Sequence, residues 1–179
     1  MLDDHGFEVF EQNEFPIAYL ITFRTYGTWL HGDERWAVRR NRKSRSEAKI
    51  MAPNVPLEER MHEELESHPF LLNLEQRDAV DKAIREVCQI RDYILHTANV
   101  RSNHVHSVIG VQAKPERVAD SLKAYSTRRL RELGLIEPET RVWSRGRSRR
   151  YLWKPRHVEA AIHYVLFCQG DVPFELDDE

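Results

Sequence analysis

Apolar and polar positions alternate in kind along the chain, and the changes mark out its elements. Residues 17–26, Ile-Ala-Tyr-Leu-Ile-Thr-Phe-Arg-Thr-Tyr, are dense in β-branched and aromatic side chains and predict a strand. Residues 27–70 lack such a pattern. They hold a basic stretch, Pro53 and Pro56, and a short helix expected near Leu57–Glu66, which together suggest a binding insertion or lid. From Leu74 to Tyr93 the apolar residues Val80, Ala83, Ile84, Val87 and Cys88 recur at three-four spacing, which predicts a helix with Asn73 as its cap. Ile94–Val100 and Val105–Val111 predict two strands joined by a tight turn at Arg101-Ser102-Asn103. Pro115–Leu133 predicts a second helix, with Pro115 in its first turn, Gly134 at its exit, and Val118, Leu122 and Tyr125 on one face. Short β-like pieces surround Val142-Trp143 and Tyr151-Leu152-Trp153. A last helix is expected over Pro155–Gln169, stopped by Gly170 and Pro173.

That order predicts an α+β fold: a ferredoxin-like (RRM-like) antiparallel sheet with helices packed on one face. At 179 residues and 21.2 kDa the expectation is a single domain over 1–179 with the insertion at about 27–70. The composition, 41% apolar and 31% charged, excludes a disordered or collagen-like chain. No apolar run approaches the roughly 18 residues of a membrane span. The acidic start lacks a basic-then-apolar leader pattern. Two cysteines, Cys88 and Cys168, are too few for a disulfide framework. The expected setting is cytoplasmic.

The net charge of −2 conceals two basic stretches. Arg35–Arg45 carries six basic residues and no acid, and Val142–His157 carries Arg145, Arg147, Arg149, Arg150, Lys154 and Arg156, again with no acid. Local patches, not sums, attract phosphates, although solvated loops share this composition.

The sharpest local feature is Asn103-His104-Val105-His106. Side chains alternate along a strand, so His104 and His106 share one face and can converge on one ion. A third ligand must come from elsewhere. Zinc, manganese and magnesium all remain open from spacing alone, with imidazole leaning toward zinc.

Asn-His-Val-His between two strands resembles the histidine–hydrophobe–histidine (HUH) motif of single-tyrosine DNA transposases, in particular the family that includes the REP-associated tyrosine transposases. The resemblance extends through Tyr19–Phe23, Leu74–Tyr93, Leu122–Leu130, Arg141–Tyr151 and Ala160–Val165. It implies a hairpin-recognising, metal-dependent single-stranded DNA endonuclease and strand transferase, a transposase that works through a 5′-phosphotyrosine intermediate. The cofactor it implies is a divalent cation, Mg or Mn before Zn. The partner is single-stranded or hairpin DNA, which implies a nucleoid-associated protein. Relatives work as homodimers or as single chains.

The position matching the family's nucleophile is Tyr164, within Ile-His-Tyr-Val-Leu. Tyr125 is a rival, but its spacing from Leu122 and Val118 reads as core packing, and a core role competes for Tyr164 as well. The family's third ligand lies one helical turn after the tyrosine. Cys168 stands there and the amide, Gln169, comes one residue later, about 100° further round a helix. The metal set implied is therefore His104, His106 and Gln169, with His163 and His157 as further candidates for a contact. Arg145, Arg147, Arg149, Arg150 and Arg156 would track phosphates, joined by Lys123, Arg128 and Arg129, while Trp143, Tyr151 and Trp153 would stack on bases or anchor the core. Two other readings stay open: a hairpin-binding module of the same fold without cleavage, and a zinc hydrolase or metal-stabilised domain.

Overall fold

The computed structural model describes residues 15–28, 37–40, 48–51 and 68–168. The elements are β1 (Ala18–Arg24), β2 (Ala37–Arg40), β3 (Ala48–Met51), α1 (Leu74–Ile90), β4 (Ile94–Val100), β5 (His104–Gly110), α2 (Pro115–Glu132), β6 (Ser148–Leu152) and α3 (Pro155–Phe167). The main sheet has four strands in the order β4-β5-β1-β6, every pairing antiparallel. β2 and β3 pair separately, Arg40 opposite Ala48, inside the stretch expected to be a binding insertion or lid. The short helix expected near Leu57–Glu66 lies outside the described residues.

The helix termini follow their local chemistry. Asn73 accepts from the Gln76 backbone N–H at 2.9 Å while the Gln76 side chain accepts from the Asn73 N–H at 2.9 Å, a reciprocal capping box that starts α1. Pro115 and Pro155 open α2 and α3, where no N–H partner is lost. Gly134, at φ 66°, carries the chain out of α2 in a conformation that a side chain would strain.

Because the strand period is two, β1 supplies opposite faces of the sheet with alternate residues. Tyr19, Ile21 and Phe23 join Val105 and Ile109 of β5 beneath α1 and α2, packed against Val80, Ile84, Val87, Val118 and Leu122. Ala18 and Leu20 join Val108 and Leu152 on the other face and pack against Val158, Ala161 and Val165 of α3. The antiparallel α+β sheet expected from the element order is present, and α1 and α2 do share a face. The structure corrects the placement of the last helix, since α3 covers the opposite face. The reason is in β1, whose residues are buried on both faces, so each face needs a cover.

Candidate active site

The site lies on the face of the sheet that α3 covers. His104 and His106 project there together, as alternation requires, with ring centroids 4.6 Å apart. Across the strand pairings, Arg24 of β1 stands opposite His104, and Thr22 of β1 and Asn99 of β4 flank His106. Thr22 Oγ1 lies 2.6 Å from His106 Nδ1. His104 Nδ1 lies 2.7 Å from the Asn103 side-chain oxygen, which accepts, so that ring carries its proton on Nδ1 and its lone pair on Nε2. Both imidazoles are thus oriented through Nδ1, and the tautomer of His106 in which Nδ1 donates to the Thr22 hydroxyl leaves its Nε2 as a ligand nitrogen.

Tyr164 completes the group. Its helix buries His157, Val158, Ala161 and Val165, and Tyr164 sits on the flank of that stripe, half-buried against the α3-face core. Its ring meets His106 edge-on at 5.6 Å between centroids. The Asn99 side-chain amide donates to the Val165 carbonyl at 3.0 Å and ties this turn of the helix to β4.

The electrostatics follow from partial burial and positively charged neighbours. Burial, then the neighbouring His104, Arg24 and Arg101, pushes His106 down to about 3, so it is neutral near pH 7. Burial raises the Tyr164 phenol above its ordinary range, Arg24 opposes that rise and Cys168 adds to it. Among the described residues no group of three or more His, Cys, Asp or Glu side chains is placed to hold a metal ion. His104 and His106 fit a divalent cation as a two-imidazole donor pair. Gln169, the expected third ligand, lies outside the described residues. Cys168 caps the end of α3, its sulfur 3.5 Å from His163 Nδ1, and His157 is buried near the start of that helix.

The other expected residues divide. Tyr125 packs against the core on the α1–α2 side, under the Arg128 guanidinium at 4.3 Å, with the sheet between it and the histidines. Arg147 and Arg149 form ion pairs with Asp120 and Glu116 of α2, and Arg129 pairs with Glu86 of α1. Arg128 also faces Glu132 at 3.5 Å. Lys123 donates to the carbonyls of Ser144 and Gly146, both at 2.8 Å. Trp143 is anchored by its indole N–H on the Lys123 carbonyl and by an edge contact with Phe23. Arg145, Arg150 and Arg156 are exposed, as are Tyr151 and Trp153, whose rings lie nearly parallel with centroids 6.2 Å apart. Three site residues escaped the sequence reading: Thr22, Arg24 and Asn99. The signal for the first two was the appearance of polar side chains at alternate positions of an otherwise apolar strand.

The model of the family described as "Transposase IS200 like" matches residues 67–159, just over half of the chain. The match covers both histidines and ends before Tyr164. No curated protein matches. Among solved structures, a REP-associated tyrosine transposase bound to a REP hairpin is 12% identical, with 88% of this chain and 69% of that chain covered at a TM-score of 0.47. A protein of Deinococcus radiodurans described as a transposase is 14% identical, with 90% of this chain and 97% of that chain covered at a TM-score of 0.46.

Proposed function

The chain belongs to the IS200-like transposase family, and from that premise we propose that it cuts and rejoins single-stranded or hairpin DNA with Tyr164 as the nucleophile. The observation that carries this reading is the edge contact of the Tyr164 ring with His106, beside His104. A phenol held against two ligand-competent imidazoles is the pair of functions that phosphodiester transesterification needs.

In the reaction, the Tyr164 oxygen attacks the scissile phosphorus and the P–O3′ bond breaks. The phenol proton is lost and the departing 3′ oxygen gains one. The product is a 5′-phosphotyrosine ester and a free 3′-hydroxyl, which can reverse the step without a nucleotide cofactor because the ester retains the free energy of the broken bond. His104 and His106, with Gln169 as the proposed third donor, would hold a Mg or Mn ion. When bound, that ion supplies positive charge to the non-bridging phosphate oxygens. The chain's own share is orientation. Thr22 and Asn103 orient the two rings, α3 carries the phenol, and burial keeps the His106 ring neutral near neutral pH.

The test is adduct formation. The full chain is mixed with a pool of hairpin oligonucleotides bearing randomised single-stranded flanks, labelled at the 5′ end or the 3′ end, with Mg or Mn. A 3′-labelled adduct that survives denaturation, absent in Tyr164→Phe and in His104→Ala, is expected. Binding without any adduct would overturn the reading in favour of a non-cleaving module of the same fold.

A further inference from the structure

The active-site face carries an arginine beside its two histidines. Arg24 stands opposite His104 in the β1–β5 pairing, two residues from Thr22, which bonds His106, so its side chain belongs to the same face as both histidines. The Tyr164 ring lies against His106 on that face, so Arg24, the two imidazoles and the phenol share it. Arg101, in the turn between β4 and β5, donates its backbone N–H to the His104 carbonyl at 2.8 Å and adds a second cationic side chain beside this end of the strand pair. A guanidinium beside two imidazoles disfavours a bare divalent cation there. A phosphate placed between the guanidinium and the imidazole pair offsets that repulsion.

We propose that Arg24 is a catalytic residue that grips a non-bridging oxygen of the scissile phosphodiester, from the β1 side of the histidine pair. The inference rests on the reading of this face as a phosphodiester-cleaving site and adds the group that holds the reacting phosphate. A phosphodiester has two non-bridging oxygens, so the histidine-bound side and the guanidinium side can be served at once. The planar fork of arginine suits such an oxygen better than a lysine ammonium does. As Tyr164 attacks, the phosphorus acquires a fifth oxygen and more negative charge gathers on the non-bridging pair. A fixed positive charge there is therefore worth more in the transition state than in the bound substrate.

Two measurements test this, and only one depends on cleavage. In EDTA, the full chain is titrated with the dinucleotide dTpT and, separately, with its uncharged methylphosphonate analogue, while the Arg24 Nε–H and the His104 and His106 signals are followed by NMR. Saturable shifts with dTpT only, lost in Arg24→Gln, are expected. Equal shifts with the analogue, or an unchanged response in Arg24→Gln, would overturn the proposal. In the adduct assay, Arg24→Ala should react about 100-fold more slowly, in the range seen when one transition-state donor is removed. Added guanidinium should restore part of the rate, and Arg24→Lys should fall between the two. An Arg24→Ala protein that folds and reacts at the full rate would refute the assignment. If the wild-type chain forms no adduct yet shows the dTpT-specific shifts, the cleavage reading fails while the phosphate site stands.

Discussion

The Asn99 amide reaches across from the edge strand to the Val165 carbonyl at 3.0 Å, next to the turn of α3 that carries Tyr164. Asn99 is also the cross-strand partner of His106. One residue therefore sets the helix that bears the phenol against the strand that bears the imidazole, and the 5.6 Å ring contact follows from it.

Replacing Asn99 with alanine should release that end of α3 while leaving both histidines in place. Loss of one part-buried hydrogen bond costs about 1 kcal/mol of stability, a modest change in a urea melt. The adduct rate should fall by more than the melt suggests, on the order of 10-fold, because small displacements of a nucleophile cost rate steeply. Oligonucleotide affinity measured in the same samples should stay near that of the wild type. An adduct rate that does not move would show that the phenol is positioned by other contacts.

Thr22 plays the corresponding part for His106. In Thr22→Val the shape is kept and the 2.6 Å contact with Nδ1 is lost. Cation affinity, read by calorimetric titration with Mn, should drop about 10- to 100-fold, the usual effect of removing the partner that orients a ligating imidazole. Thr22→Ser should recover most of it. Equal Mn affinity in all three proteins would exclude a positioning role for the hydroxyl.

Much of this site was legible in the sequence, for reasons that are local. The period of two put His104 and His106 on one face without knowledge of their neighbours, the Pro155 start and Gly170 stop put Tyr164 within the last helix, and its choice as nucleophile came from the family resemblance. The side of the sheet that helix covers was not legible, because it depends on β1 being buried on both faces. The fate of the arginines was not legible either. Arg147 and Arg149 look like a phosphate track in the sequence. They meet Asp120 and Glu116 only because β6 folds back beside β1 and α2 crosses that side of the sheet. Thr22, Arg24 and Asn99 became site residues through strand register, which the sequence does not state.

The depressed pKa of His106 gives a signed prediction. The folded value is about 3 and the unfolded value about 6.5. Between them the unfolded chain binds a proton that the native chain does not, so the contribution to stability is full above pH 6.5 and is lost as pH falls toward 3. In EDTA, the His106 ring signals should show no titration between pH 5 and 8. The urea midpoint of the wild type should decline between pH 6.5 and 4.5 more steeply than that of His106→Asn. A His106 titration midpoint near 6.5 in the folded protein would contradict the burial that places it in the site.

The basic residues should separate by function when binding is measured against salt. Lys123 donates to two backbone carbonyls and lies 5.7 Å from the centre of the Phe23 ring, on the α2 side. Lys123→Met should therefore destabilise the fold by about 1.5–3 kcal/mol, the range for hydrogen bonds that involve a charged group, and leave the salt dependence of single-strand binding unchanged. Arg150 is exposed on β6, opposite Leu20 and so on the α3 face with the histidines. Arg150→Ala should keep the melting behaviour and make the slope of log affinity against log salt shallower by about 0.7, the loss of one phosphate contact to a single strand. Arg147→Ala, which frees Asp120 from its ion pair, should resemble Lys123→Met in leaving the slope alone. If instead the Arg147 variant lost the contact and the Arg150 variant kept it, the DNA path would run along α2, on the face of the sheet away from Tyr164.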